Sequence, residues 1–482
     1  MQELLWAFRG FAPVVALSGL LVYRLAPDVA DKPLYEDEAI AGLIAMRPLD
    51  EVLETVLLDR GGAPLHFVLA HAAFWVDPSA DALRWLSVAA ALGAVPLCFD
   101  LGRRLGGLGA GVVAAAVAAS STALDIYGSF GRMYALFVFV AALFFDLFVR
   151  ALQLRTIPAV AAAAAAGWLL PAVHPYGAIP AGVALLSAAV VWRGRRLRSA
   201  WPVVAAAIGA VPFLVADLRL AERAAIGGGG DRTLASPGEA WDELVTAVSS
   251  FAGGDGIPLL FFTALALVGL LVLVRREPPV AALALSIVLP PLLFLLVRTE
   301  STPDLSPRHL FYGLPLWAAA IGVGVTRFMR QPVAFALVAL IAVTSPASAL
   351  RDPREIRFAT TEPGDSHSIR AEANDLLVPY SAVFLASLPH VRGALALPHA
   401  PGDEILAALE HAEEPIGAVH IAVPTPGWTV LTADGPLTKR EALAAAATRL
   451  HEFDDRPALE NWLAWIEPGI CEALRELGEP CP

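Results

Sequence analysis

Apolar runs near the length of a bilayer crossing recur along roughly the first 345 residues, and in lipid such runs leave little choice of fold. About 30 Å of hydrocarbon takes about 20 residues to span, and every backbone N–H and C=O inside must be bonded within the segment, so each run has to be a helix. Reading between charged breaks predicts spans at Leu4–Leu25, Leu83–Leu101, Leu108–Leu124, Met133–Val149, Ile157–Val173, Gly177–Trp192, Trp201–Leu218, Pro258–Val274, Val280–Val297, Leu310–Val325 and Val333–Val343. The expected fold class is an α-helical polytopic membrane protein with about eleven transmembrane helices. Composition agrees. The chain is 57% hydrophobic and 17% charged, against roughly 25% charged in a soluble domain, and so carries more apolar surface than one core can bury. The first run has the look of a secretory leader, since Arg9 within it precedes an apolar stretch, but no small-x-small cleavage site follows and more spans do. An uncleaved first helix is expected.

The arginines set the orientation. With the N-terminus inside, Arg103 and Arg104, Arg150 and Arg155, Arg193, Arg195, Arg196 and Arg198, Arg275 and Arg276, and Arg327 and Arg330 all fall in alternate connections, the cytoplasmic ones by the positive-inside rule. Pro64–Val76 is apolar but short, and counting it as a span would put Arg103 and Arg104 outside. It is expected as a helix lying along the outer surface, with Trp75 at the interface. The outer face then collects the segment 27–81, the turns at Tyr127–Arg132, His174–Tyr176 and Arg298–His309, the loop 219–256, and everything after Thr344.

Beyond the last span the pattern changes. Apolar runs at Ala382–Leu388 and Ala418–Val423 read as strands, and Glu404–His411, Lys439–His451 and Pro457–Leu477 read as helices, so a small α/β domain is expected. The division is a membrane domain over 1–348, carrying the outer loops 27–81 and 219–256, and a soluble extracytoplasmic domain over 349–482. The net charge of -12 argues against a nucleic-acid partner, which would want a concentrated basic surface. Of the three cysteines, Cys98 lies in an apolar run, while Cys471 and Cys481 either pair outside the cytoplasm or remain free thiols.

Some charged residues have a plain structural explanation. Asp146 with Arg150, and Asp100 with Arg103 and Arg104, fit local ion pairs at cytoplasmic helix ends. The outer face is harder to dismiss. Glu36-Asp37-Glu38 is followed at once by Ala39-Ile40-Ala41: either an acidic first helical turn favoured by the helix dipole, or a general base in a partly desolvated cleft. Arg132, His174 and Arg308 beside His309 open other outer helix ends. A guanidinium offers a phosphate two parallel hydrogen bonds and stays charged, although a lone arginine there can also be an interfacial anchor.

Five motifs in this order resemble the multi-pass GT-C glycosyltransferases, in particular bacterial members similar to protein O-mannosyltransferases and aminoarabinose transferases. They are Asp37-Glu38-Ala39, Gly62-Ala63-Pro64-Leu65-His66-Phe67, Arg132-Met133-Tyr134-Ala135-Leu136, His174-Pro175-Tyr176-Gly177, and Pro307-Arg308-His309-Leu310 with Leu314-Pro315-Leu316 following. The resemblance covers Leu4 to about Val325. It implies inverting transfer of a sugar from a polyprenyl-phosphate donor to a hydroxyl acceptor on a glycan, lipid or protein, outside the cytoplasmic membrane, with no metal or cofactor required. Carried over, Asp37 is the base with Glu38 beside it, Arg308 holds the donor phosphate, and Arg132, Tyr134 and His174 line the cleft with Tyr176 and His309 of the same motifs. Two departures stand out. Phe130 occupies a position often acidic in the family, with Asp125 the nearby substitute, and Gly61-Gly62 replaces a basic residue, leaving Arg60 or His66 to reach that space. A multi-pass transporter or lipid flippase is the alternative, and a non-catalytic scaffold a third. Transporters favour charges near the midplane and repeated halves, whereas here the unexplained charges sit at outer helix ends.

Overall fold

The computed structural model describes residues 2–31, 36–45, 47–59, 63–76, 80–191, 211–212, 215, 237–251, 256–296, 306–328, 371–379, 394–397, 401–425, 427–453 and 460–481. The chain forms two compact units, Met1–Ala30 with Ile44–Leu350, and Asp31–Leu43 with Arg351–Pro482. The expected spans over 201–218 and 333–343, the expected strand over 382–388 and the arginines at 193–198 lie outside the described residues, apart from single helical residues within 201–218.

Up to residue 328 the described elements are helical: α1 (Gln2–Asp31), α2 (Glu36–Ala45), α3 (Leu49–Asp59), α4 (Pro64–Val76), α5 (Ala80–Gly106), α6 (Leu108–Ala119), α7 (Thr122–Tyr127), α8 (Tyr134–Leu154), α9 (Ile157–Val173), α10 (Ala178–Val191), α11 (Pro237–Phe251), α12 (Ile257–Arg276), α13 (Pro278–Leu283), α14 (Leu285–Leu296) and α15 (Leu314–Phe328). Among the described residues, Asp81–Gly106, Tyr134–Leu154, Ile257–Arg276 and Pro307–Phe328 are long and apolar enough to cross a membrane, and shorter apolar helices accompany them.

Two expected spans are broken, each for a local reason. Leu108–Leu124 stops at Ala119, where Ser120 Oγ donates to Ala116 O at 2.6 Å and Ser121 Oγ accepts from Leu124 N at 3.3 Å, capping a new helix. Val280–Val297 divides at Ala284 into α13 and α14. Within α14, Pro290 has no N–H to give the carbonyl four residues back, that of Ser286. The Tyr312 hydroxyl donates to that carbonyl instead.

Glycines set how closely the helices pack. A Cβ on Gly269 or Gly324 would run into the backbone of Ala320 or Leu265, so α12 and α15 approach at bare backbone, and Gly322 does the same against Ala110 of α6. In lipid, where burying apolar groups against one another gains little, this close van der Waals contact is what joins helices. At the C-terminal ends of α5 and α8 an ionic network ties the two together. Asp146, buried, accepts from Arg104 Nε and pairs with Arg150 Nε, both at 2.9 Å, while Asp100 accepts from Arg104 Nη2 at 2.8 Å, Arg150 Nη2 at 2.7 Å and Arg103 Nε at 2.9 Å. The local pairs read from sequence are thus parts of one inter-helix network.

The second unit carries a four-stranded sheet of order β2-β1-β3-β4, with β1 (Leu376–Pro379), β2 (Leu395–Ala396), β3 (Ile416–Thr425) and β4 (Gly427–Leu437). β1 is parallel to β2 and β3, and β4 is antiparallel to β3, with His420 opposite Thr432. Alternation on β3 sends Val419 and Ile421 into a core shared with Ile405 and Leu409 of α16 (Gly402–Glu410), Leu443 and Leu450 of α17 (Lys439–Leu450), and Ile466 and Leu474 of α18 (Glu460–Glu476). Thr438 and Glu441 cap α17 reciprocally, and the Thr438 N–H bonded to the Glu441 carboxylate holds that group below its ordinary range. Cys471 and Cys481 are joined in a disulfide. β4 was not anticipated, because its polar outer positions hide the alternation, and β3 extends past the expected Ala418–Val423 at both ends.

Two substitutions test the packing. Gly324→Leu should overpack the α12–α15 contact and lower stability by about 1–3 kcal/mol; an unchanged unfolding midpoint of the purified protein would show the helices not held this closely. Asp146→Ala should destabilise by about 2 kcal/mol, because Arg104 and Arg150 then share Asp100 alone, an effect read in the same melting experiment.

Candidate functional site

Two short 3-10 turns build the site in the helical unit, Pro175–Gly177 before α10 and Pro307–Gly313 before α15. Each has proline at its first position, which presets the turn and pushes the residue before it into extended backbone: His174 adopts φ -155°, ψ 136° and Ser306 adopts φ -100°, ψ 150°. Each turn then fixes a histidine through its own backbone. His174 Nδ1 accepts from Tyr176 N at 3.3 Å, and His309 Nδ1 accepts from Ser306 N at 3.2 Å. With Nδ1 the acceptor, a neutral ring carries its proton on Nε2, a tautomer assigned from these bonds. His174 lies in the turn between apolar helices, and burial, with the Arg308 and Arg132 guanidiniums next in weight, depresses it to about 3. It is therefore a neutral hydrogen-bonding group at any physiological pH.

The two turns meet face to face. Tyr176 and His309 stack at 5.0 Å and 16°, and His174 lies 5.2 Å from His309 while stacking on Phe137 of α8 at 4.9 Å and 17°. Arg308 carries its guanidinium carbon 5.5 Å from the ring centre of Tyr134, the first residue of α8, a cation–π arrangement. Tyr134 in turn meets Tyr127 edge-on at 5.0 Å, and Tyr127 meets Phe311 at 5.0 Å. Arg132 sits in the turn before α8, close enough to act electrostatically on both His174 and buried His66 of α4. That turn is anchored by Ser87 of α5, whose hydroxyl donates to Phe130 O at 2.6 Å.

Of the residues singled out from sequence, the helical unit brings together His66, Arg132, Tyr134, His174, Tyr176, Arg308 and His309. Asp125 forms an ion pair with Arg24 of α1 at 2.6 Å. Asp37 and Glu38 lie in the first turn of α2, whose residues up to Leu43 group with the second unit; Glu38 is buried, and the Asp37 side chain and Arg60 are outside the described residues. Sequence reading missed Arg24, Ser87, Tyr127 and Phe137. Phe137 had a signal, lying three residues after Tyr134 and so on the same helix face; Arg24 and Ser87 reach the site through contacts distant in sequence. The assembled groups are two guanidiniums, neutral imidazoles and an aromatic floor, a set that suits a phosphate group attached to an apolar chain.

No protein-family model and no curated protein matches the sequence. Among solved structures, ArnT from Cupriavidus metallidurans bound to undecaprenyl phosphate matches at a TM-score of 0.52 and 13% identity, over 90% of this chain and 99% of ArnT. The chain has a GT-C-like fold. The apo state of the same ArnT matches at 0.47 and 15% identity over 75% and 68% of the two chains, and the arabinosyltransferase EmbB from Mycobacterium smegmatis at 0.42 and 17%, over 65% of this chain but only 30% of EmbB's length. Within this GT-C-like fold the clustered residues come from α4, α8 and the two proline turns, elements separated widely in sequence and joined by ring contacts.

The Arg24–Asp125 pair ties α1 to the turn that carries Tyr127, and both side chains are largely shielded from water. A double-mutant cycle of Arg24→Ala and Asp125→Ala, read by thermal unfolding, should give a coupling energy of about 1–3 kcal/mol. Simple additivity of the two losses would mean that the bridge does not hold the turn.

Proposed function

We propose that this chain is a membrane glycosyltransferase that moves a sugar from a polyprenyl-phosphate donor to a hydroxyl acceptor on the extracytoplasmic face, with inversion. The observation that carries the reading is Arg308, held over Tyr134 beside His174 and His309, in a fold shared with an ArnT bound to undecaprenyl phosphate. A site built to hold a phosphate on a long apolar tail makes sense in a helical membrane unit, where the tail can remain in lipid.

In the proposed step the acceptor oxygen attacks the anomeric carbon on the face opposite the phosphate. The new carbon–oxygen bond forms as the bond from the anomeric carbon to the phosphate oxygen breaks, and its electron pair leaves with the polyprenyl phosphate. Arg308 and Arg132 stabilise the charge gathering on that phosphate, so the leaving group needs no strong acid. The hydroxyl proton passes to the Asp37 carboxylate, with Glu38 beside it, as base. His66 and Tyr176 line the donor side, and the C-terminal unit lies outside the cytoplasm with the acceptor.

Purified protein given a labelled polyprenyl-phosphate sugar and a hydroxyl acceptor should transfer label. Asp37→Asn should lower turnover by about 10²–10⁴-fold and Arg308→Ala by about 10²–10³-fold. Wild-type rates in both variants would remove the proposed mechanism, and movement of intact donor across reconstituted vesicles without covalent transfer would favour the transporter.

A further inference from the structure

In the C-terminal unit a cavity of about 380 Å³ opens at the N-terminal ends of the parallel strands, where Asn374 and Asp375 lead into β1, Leu395 begins β2 and Ile416 begins β3. His411 and Glu413, from the turn after α16, complete its polar lining. The volume is in the range of small-ligand sites, roughly 300–1,000 Å³.

Asp375 is built into this cavity with care. Its Oδ2 accepts from Glu372 N at 2.8 Å and is 2.9 Å from His420 Nε2, while His420 Nδ1 is 3.2 Å from Thr432 Oγ1, a chain of polar contacts that crosses the sheet from β4 through β3 to the start of β1. Gly417 leaves the space that Oδ1 uses, since a Cβ there would come within 2.6 Å of that oxygen. The carboxylate is thus fixed in place by the fold, and Asp375 is one of the residues that line the cavity.

The lining restricts what can bind. No lysine or arginine is among the described residues around the cavity, while Asp375 and Glu413 are acidic, which disfavours phosphates and acidic sugars. Among the described residues no three histidine, cysteine or carboxylate groups are arranged to hold a metal ion. What remains is a mixture of acceptors, Asp375 and Glu413, with groups that donate as well as accept, the Asn374 amide and the His411 imidazole. An ammonium ion only donates and would occupy a small part of the volume. Sugar hydroxyls both donate and accept and are spaced around a rigid ring, so they match the set.

We propose that this cavity binds a neutral sugar unit, with Asp375 as its fixed acceptor and His420 and Thr432 as the residues that position it. The site lies within the second unit and stands independently of the transfer reaction proposed above.

Saturation-transfer NMR on the full chain in nanodiscs tests it, with methyl α-mannoside, methyl β-galactoside and glucosamine as probes. At least one neutral glycoside should receive saturation, and the signal should fall by about fivefold or more in Asn374→Ala/Glu413→Ala, as expected for losing hydrogen bonds worth ~1 kcal/mol or more. Both replaced side chains are exposed, so the unfolding midpoint should stay unchanged. Absence of transfer to either neutral glycoside, transfer to glucosamine alone, or an undiminished signal in the double variant would overturn the proposal. Asp37→Asn should leave the NMR signal intact while lowering sugar transfer by about 10²–10⁴-fold, which separates failure of this site from failure of the proposed reaction.

Discussion

A carbonyl that has lost its helical partner organises the centre of the membrane unit. Pro290 cannot bond the Ser286 carbonyl, and in a water-poor interior an unsatisfied carbonyl is expensive. Tyr312 supplies the missing donor, which draws the 3-10 turn Pro307–Gly313 against α14 and so fixes where Arg308 and His309 emerge. From there the contacts propagate through rings: His309 to Tyr176 and His174, His174 to Phe137, and Arg308 to Tyr134. The cationic cluster is a consequence of satisfying backbone groups in a place without water.

Charge is distributed along α8 in the same spirit. Its first residue, Tyr134, receives Arg308, while Asp146 and Arg150 near its other end join the network with Asp100 and Arg104. Tyr134 and Asp146 are twelve residues apart in one helix, about 18 Å along its axis. At one end every charge has a protein partner and the network locks two helices together. At the other, a guanidinium lies over the Tyr134 ring beside stacked histidines and aromatic rings. Glycines between α12 and α15 and between α6 and α15 let those helices pack at backbone distance.

Much of this was legible beforehand because lipid imposes a length and a periodicity on any segment that enters it. Ile157–Val173 and Pro64–Val76 form helices over the residues read from sequence, and the proline turns announced themselves as His174-Pro175 and Pro307-Arg308. Breaks were harder to see. The Ser120-Ser121 stop in Leu108–Leu124 depends on which hydroxyl turns back to a carbonyl, and the division at Ala284 lies inside an uninterrupted apolar run. β4 escaped notice because an edge strand with polar outward positions looks like a loop. Arg24 and Ser87 were invisible as site residues, since each acts through a partner more than forty positions away.

The sequence by itself determined that the chain is a bundle of membrane helices followed by a small α/β unit, and which residue types stand at the helix ends, because hydropathy and helix propensity are local properties. Only the tertiary structure decided which of those ends converge: that Arg308 lies on Tyr134, that Tyr176 stacks on His309, that Asp125 pairs with Arg24, and that Asp375, His420 and Thr432 line up across a sheet. Such pairings follow from the closest approach of backbones and from the need to satisfy every buried polar group at once, and no segment read alone contains that condition.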